Sequence, residues 1–342
     1  MSRSFLQIAV GLAPLPTGER LVRFIGWGRR AHILGQLATV WEERADGKLA
    51  EILANARIWA GHDRRMLSYE MNRITRALMG TDIYPVLLKG GAYVAKALTA
   101  GEGRRVSDID ILVKEDELDR VEASLKDAGW VADEGTSGDY DQQYYRAWMH
   151  ELPPLRHKSR RTVVDVHHRL TPRTARLKVD HEAMFAAARP TADSALKVFN
   201  PTDRFIHAAI HICADGAFET PERSLIELFY LFADLSEAEA EGLRARAAEV
   251  GALWPVDHAL WAISWFFANK RARSLCREGM FAKAFAAPVR WAIRAKVAGG
   301  LRAKAAMLLL YPRSHLLRMP IGMLTVHLFR KAVRSLSGSQ AN

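Results

Sequence analysis

Residues 105–113 read Arg-Val-Ser-Asp-Ile-Asp-Ile-Leu-Val. From Val106 to Val113 the residues alternate as those of a β-strand do: Asp108 and Asp110 project from one face, Ile109 and Ile111 from the other. Two carboxylates on one strand face repel, which raises the pKa of one of them. A hard divalent cation removes the conflict, because Mg2+ takes carboxylate oxygens together with substrate phosphates. The plainer alternative is an Asp-x-Asp on a solvent-facing edge strand. The strongly apolar alternate positions argue for a covered strand, and so for a metal site.

Two further stretches belong with this one. Upstream, Tyr84-Pro-Val-Leu-Leu88 is a short β-prone run that passes through Lys89-Gly90-Gly91 into a helical stretch from Ala92 to Ala100, broken by Gly101 and Gly103. Glycines at a strand-to-helix junction let phosphate oxygens approach the backbone N–H groups at the helix start. By itself such a junction is also an ordinary tight connection. Lys89 and Arg105 are natural partners for phosphate charge, and either can pair with the aspartates instead. Ser107 offers a hydroxyl donor, or serves a strand-entry turn. Downstream, Val163-Val164-Asp165-Val166-His167-His168 sets one carboxylate inside a β-branched run, which is costly unless the charge is paired or bound to a metal. If that strand lies beside the first, Asp165 completes a three-carboxylate cluster. His167 shares its alternation parity and would orient it or touch substrate, or be structural only.

The organisation around these stretches is an α/β (α+β) core with helices on both sides. Residues 1–80 read as helical, ending at Gly80; residues 81–190 form the core, with a small mixed sheet; residues 191–269 are a helical domain; residues 270–342 are a basic amphipathic helical segment. Within the core, Glu115 to Ala128 reads as a helix with Leu118, Val121 and Leu125 on one face, and Tyr144 to Leu152 as a further strand. Pro153-Pro154 and a basic turn follow it. Thr202 or Asp203 is placed to cap the helix after Asn200-Pro201.

Of 342 residues, 49% are hydrophobic and 25% charged, which excludes wholesale disorder and a disulfide-stapled miniprotein. Two cysteines fit a reducing compartment and make no zinc framework. No apolar run is long enough to span a bilayer, so the expected location is the cytoplasm or the periphery of a membrane. The net charge of +11 is concentrated: from Lys270 onward there are fifteen Lys and Arg and one acid, Glu278, and the rest of the chain is nearly neutral. A basic, apolar-interleaved segment of this kind suits an anionic membrane surface or an acidic protein partner, or simply a solvated face. Nucleic acid is the weakest of these readings, since no recognition motif accompanies the charge.

Together the three stretches resemble the DNA polymerase β-type nucleotidyltransferase superfamily, and more narrowly the bacterial family of uncharacterised nucleotidyltransferases. The shared features are Leu-Leu-Lys89-Gly90, Arg105 to Asp110 and the later Asp165 to His167. Softer likenesses are the helix from Asp203 through His207 to His211, the Leu-Arg-Met-Pro320 stretch and a basic helix ending near Arg334. The likeness covers about residues 50–335. It departs at His168, where an aromatic often follows the histidine. The resemblance implies a Mg2+-dependent transfer of an NMP from an NTP such as ATP to an acceptor, with release of pyrophosphate. Asp108, Asp110 and Asp165 would be catalytic and hold two metal ions. Lys89, Gly90, Gly91, Arg105 and Ser107 would bind nucleotide, and His167, His207 and His211 would line the acceptor side. The acceptor, whether peptide, protein or small molecule, is not written in the sequence. A different class of function is a non-catalytic recruiting protein on the same fold, associated with a membrane or complex through its basic segment.

Overall fold

The structure, a computed structural model, describes residues 2–132, 149–191, 195–214, 220–277, 280–318, 320 and 322. Among these the chain forms a seven-stranded mixed sheet and fourteen α-helices, the expected α+β architecture.

Four helices precede the sheet: α1 (Ser2–Ala9), α2 (Gly18–Arg30), α3 (Leu34–Trp41) and α4 (Gly47–Ala77). In α1, α2 and α4 the apolar residues recur at three and four, so each buries one stripe, whereas α3 is buried on most sides, at Gly35, Gln36, Leu37, Ala38 and Trp41. On α4 that stripe is Leu49, Leu53, Ala60, Leu67, Glu70 and Ile74. Glu70 is tolerated there because the Arg160 guanidinium meets it with two bonds, at 2.6 and 3.0 Å. On α1, Phe5, Leu6 and Ile8 are buried, with Phe5 against Phe24 and Trp27 of α2.

The strands are β1 (Val86–Leu87), β2 (Asp108–Leu112), β3 (Trp130–Ala132), β4 (Leu155–His157), β5 (Val163–His167), β6 (Arg189–Pro190) and β7 (Lys197–Val198). Their order across the sheet is β3-β4-β5-β2-β1-β7-β6. β2 lies at the centre, antiparallel to β1 and parallel to β5. The covered strand expected at 106–113 is therefore a central one, with Ile109, Ile111, Leu112 and Val113 fully buried. Helix α5 (Lys89–Ala95) leaves β1 directly, α6 (Leu118–Asp127) follows β2, and α7 (His181–Ala186) precedes β6.

The rest of the described chain is helical: α8 (Pro201–Ala214), α9 (Pro221–Ala233), α10 (Glu237–Glu249), α11 (Leu253–Phe267), α12 (Lys270–Leu275), α13 (Met280–Ala298) and α14 (Gly300–Arg318). Helix α8 packs against α9, α10, α11 and α14. No helix among the described residues is long and apolar enough to cross a membrane.

Several local expectations shift. The helix after β1 begins at Lys89, not Ala92, and ends at Ala95. Of the strand expected at 144–152, residues 144–148 lie outside the described residues, and the remainder contributes one bridge, between Glu151 and His167. The segment read as a basic turn after Pro153-Pro154 contains β4, because its backbone bonds to β5 extend the sheet. The basic helix expected to end near Arg334 also lies outside the described residues.

The cap of α8 is Asn200, whose side chain accepts from the Asp203 N–H at 2.9 Å. Asp203 has another role: fully buried, it accepts two bonds from Arg246 of α10, at 2.8 and 2.9 Å. Removing one partner of such a pair leaves an uncompensated buried charge. Arg246→Ala is therefore expected to cost about 3–5 kcal/mol in urea unfolding, with Arg246→Lys recovering part of the loss. A loss below about 1 kcal/mol would mean that the pair does not anchor α8.

Candidate active site

Parallel pairing of β2 with β5 sets Asp110 opposite Asp165 and Leu112 opposite His167. Residues in register on neighbouring strands point to the same face, so the two aspartates stand side by side and Asp108 joins them. One carboxylate oxygen from each of Asp108, Asp110 and Asp165 lies within 4.8 Å of the others. The sheet thus assembles the three acids that the sequence reading grouped.

Asp110 is 4% exposed. Its Oδ1 receives Lys89 Nζ at 2.7 Å and faces His167 Nε2 at 3.1 Å. Burial alone would raise its pKa, but the Lys89 charge and the His167 hydrogen bond hold the carboxyl well below the usual range. Burial likewise opposes the Lys89 ammonium, yet Asp110 keeps its pKa above that of a free lysine. Lys89 is reached by a left-handed backbone turn, φ +46°, at the end of the approach from β1. That conformation is unfavourable for a residue with a Cβ and persists only where surrounding contacts hold it. Here the Leu88 N–H bonds to the Asp110 carbonyl at 2.9 Å, fixing the turn to the strand that carries the acid.

Asp165 differs from Asp110. Its Oδ1 is buried without a hydrogen-bond partner among the described residues. Burial, together with the negative charges of Asp110, Glu151 and Asp108, pushes its pKa up to about 7.

The remaining expected site residues divide. His167 is buried between Asp110 and Glu151, with Nδ1 3.4 Å from Glu151 Oε2. Ser107 donates to Asp108 at 3.0 Å. His207 and His211 line a cavity of about 250 Å3 together with Lys89, Asp165, His167 and Arg318. Burial pushes the His207 imidazole down to about 3 and that of His211 well below its ordinary value, so both are neutral near pH 7.

Arg105 is not brought into the cluster. It pairs with Asp63 and lies over the Trp59 ring, both on α4. Its neighbour Arg104 comes closer: a Cβ on Gly90 would meet the Arg104 guanidinium at 2.0 Å, so the glycine there makes room for that side chain. Arg104 is in turn paired with Glu227 of α9 at 2.8 Å.

Arg104, His150 and Glu151 are the neighbours that the sequence reading missed. Glu151 carried one signal, an acid between Met149 and Leu152 in a stretch read as a strand. Its partner strand could not be known.

The donor set suits a hard divalent cation: three clustered carboxylates, one of them with a buried oxygen that nothing satisfies. The sequence profile of a family described as uncharacterised nucleotidyltransferase matches residues 22–268. The chain belongs to that family. It is a nucleotidyltransferase, and nucleotidyl transfer is its general role. The family match begins before the region of likeness read from the motifs and leaves residues 269–342 outside it. No curated protein is similar enough to the chain to count as a match.

The nucleotidyltransferase's acid cluster predicts its own pH dependence. In the metal-free protein Asp165 takes up a proton near pH 7, whereas the same carboxyl in the unfolded chain does so near 3.8. The native state therefore binds more protons across that window, and this group's contribution to stability falls as pH rises from about 4 to 7. Asp165→Asn, in chelator, is expected to be more stable than the parent at pH 8, with the gap closing at pH 5. Urea denaturation at both pH values measures this. A gap equal at both pH values would show that Asp165 does not titrate there.

Proposed function

We propose that the protein is a divalent-metal-dependent enzyme of the polymerase β type, which moves an NMP from an NTP to a peptide, protein or small-molecule acceptor. The observation that carries this reading is the Asp110–Asp165 register, which puts a third carboxylate with an unsatisfied oxygen beside Asp-x-Asp and at the edge of a cavity.

Asp108 and Asp110 are the residues that would hold two Mg2+ ions, with Asp165 sharing one of them. When bound, such ions neutralise the triphosphate and the charge that develops during in-line displacement. Asp110 has one oxygen committed to Lys89 and His167, which leaves the other for this purpose. Lys89 thereby acts as a positioning residue for Asp110. The backbone at Gly90 and Gly91 and the Ser107 hydroxyl remain the groups for the phosphates, and the buried Arg104 guanidinium over Gly90 adds positive charge behind them.

The cavity is where the acceptor sits. His207 and His211 are neutral there and offer hydrogen bonds without repelling a cationic or neutral group. The acceptor's nucleophilic atom bonds to the α-phosphorus as the bond from that phosphorus to the bridging oxygen breaks. Pyrophosphate carries away that electron pair, and the Asp165 carboxylate takes the acceptor's proton.

A recruiting role through the basic segment has its own support. On α14 Leu301 and Leu308 are 82% and 80% exposed, and on α13 Trp291 is 44% exposed, beside Arg302, Lys304 and Arg294. We propose this as a contact surface of the enzyme, for a membrane face or an acidic protein, and not as a substitute for catalysis.

Calorimetry with each NTP, with and without Mg2+, tests the main reading. Binding is expected only with Mg2+, and Asp108→Asn should weaken it at least tenfold while the fold is kept. Asp110→Asn should abolish turnover, whatever the acceptor. Folded wild-type protein that binds no NTP would overturn the catalytic reading and leave the recruiting one.

A further inference from the structure

Beside the three aspartates stands a second group of metal-ligating side chains, made of His150, Glu151 and His167. One donor atom from each lies within 4.8 Å of the other two. Backbone pairing holds them together. The Leu152 N–H bonds to the Val166 carbonyl at 2.8 Å and the His168 N–H to the His150 carbonyl at 2.9 Å. These two bonds flank the bridge between Glu151 and His167. In an antiparallel pair, residues flanked in this way bring their side chains closest. The chain bends at residues 149–150, and His150 turns its Nε2 toward Glu151 Oε2, at 3.9 Å.

The contacts of His167 give these groups the geometry of a metal site. Its Nε2 faces the Asp110 carboxylate at 3.1 Å and therefore donates. The Nδ1 atom on the other side of the ring faces Glu151 Oε2 at 3.4 Å. Around a tetrahedral zinc ion, ligands at about 2.0–2.1 Å are roughly 3.3–3.4 Å apart. The Nδ1 to Oε2 separation is one edge of such a tetrahedron. A ligating histidine whose other nitrogen donates to a carboxylate is also the usual outer arrangement of zinc sites, since it fixes the tautomer and raises ligand basicity. Asp110 supplies that carboxylate.

We infer that His150, Glu151 and His167 form a second metal site, for a first-row transition ion such as Zn2+, distinct from the carboxylate site. Two imidazoles and one carboxylate are borderline donors that favour such an ion over Mg2+. Three protein ligands leave a fourth position open, as in catalytic rather than structural zinc sites. All three residues line the cavity, so that position faces whatever the cavity holds. The site shares only the His167–Asp110 bond with the carboxylate cluster, and its occupancy does not depend on the nucleotidyl-transfer reading.

The test uses full-length protein stripped with chelator and kept in excess Mg2+, titrated with Co2+ as a spectroscopic stand-in for Zn2+. The expected result is one equivalent of Co2+ with the intense visible absorption of a four-coordinate ion, displaced by Zn2+. His150→Ala and Glu151→Gln should each weaken binding at least about tenfold, while Asp108→Asn leaves the band in place. Circular dichroism of each variant checks its fold. Three outcomes would overturn the proposal: no band in the wild type, a band that survives both His150→Ala and Glu151→Gln, or a band lost in Asp108→Asn.

Discussion

A carboxylate with 4% exposure in the middle of a sheet is expensive, and the centre of this protein is arranged around one. Taking the Asp110 charge out of water costs several kcal/mol, which only close and well-directed partners offset. Lys89 and His167 are those partners, and they come from different elements: the turn after β1 and the end of β5. Satisfying one oxygen of Asp110 therefore ties three segments of chain to one point. It also accounts for the left-handed backbone at Lys89, since the ammonium has to be delivered at the strand end without a longer loop.

The same arrangement separates two acids that the sheet places in register. Asp110 collects the positive charge and stays ionised. Asp165 collects burial and the repulsion of its neighbours, which brings its pKa up to about 7. Nearby imidazoles are kept neutral by burial, with His168 at about 4 and His207 at about 3. Around the cavity, then, the acids Asp165 and Glu151 stand against few fixed cations. A divalent ion on the carboxylates would relieve repulsion that the surrounding residues leave uncompensated.

What was legible in the sequence follows from the range of the interactions. Strand alternation is a local property, so the shared face of Asp108 and Asp110, and the matching parity of Asp165 and His167, could be read directly. The Lys89-Gly90 junction was visible for the same reason. That β5 lies beside β2 could not be read, because register is fixed by the whole sheet. Strands of two or three residues, such as β1, β4, β6 and β7, have too few positions to show a period, and their partners' hydrogen bonds alone define them. Arg105 illustrates the limit for single charges: a phosphate was a reasonable partner, but a helix arriving from far upstream put Asp63 within reach first. At α8 the nearest polar residue before the helix caps it, so Asn200 displaced Asp203, which was claimed by the more distant Arg246.

The basic segment and the cavity are not independent. The Arg176 N–H bonds to the Leu317 carbonyl at 2.8 Å and the Thr174 hydroxyl to the Arg318 carbonyl at 2.6 Å, so the end of α14 is stitched to the loop that follows β5. Leu317 and Arg318 are part of the cavity wall. One turn earlier on the same helix, Arg313 Nη1 reaches the Cys213 carbonyl of α8 at 3.1 Å, near the histidines that line the opposite wall. A truncation before α14 would therefore remove part of the pocket along with positive charge, and lost activity would say nothing about recruitment. The proposed contact surface separates from the pocket only at the exposed face. There Leu301 and Leu308 are exposed and are not part of the cavity lining, so polar substitution would alter that surface while the wall stays in place.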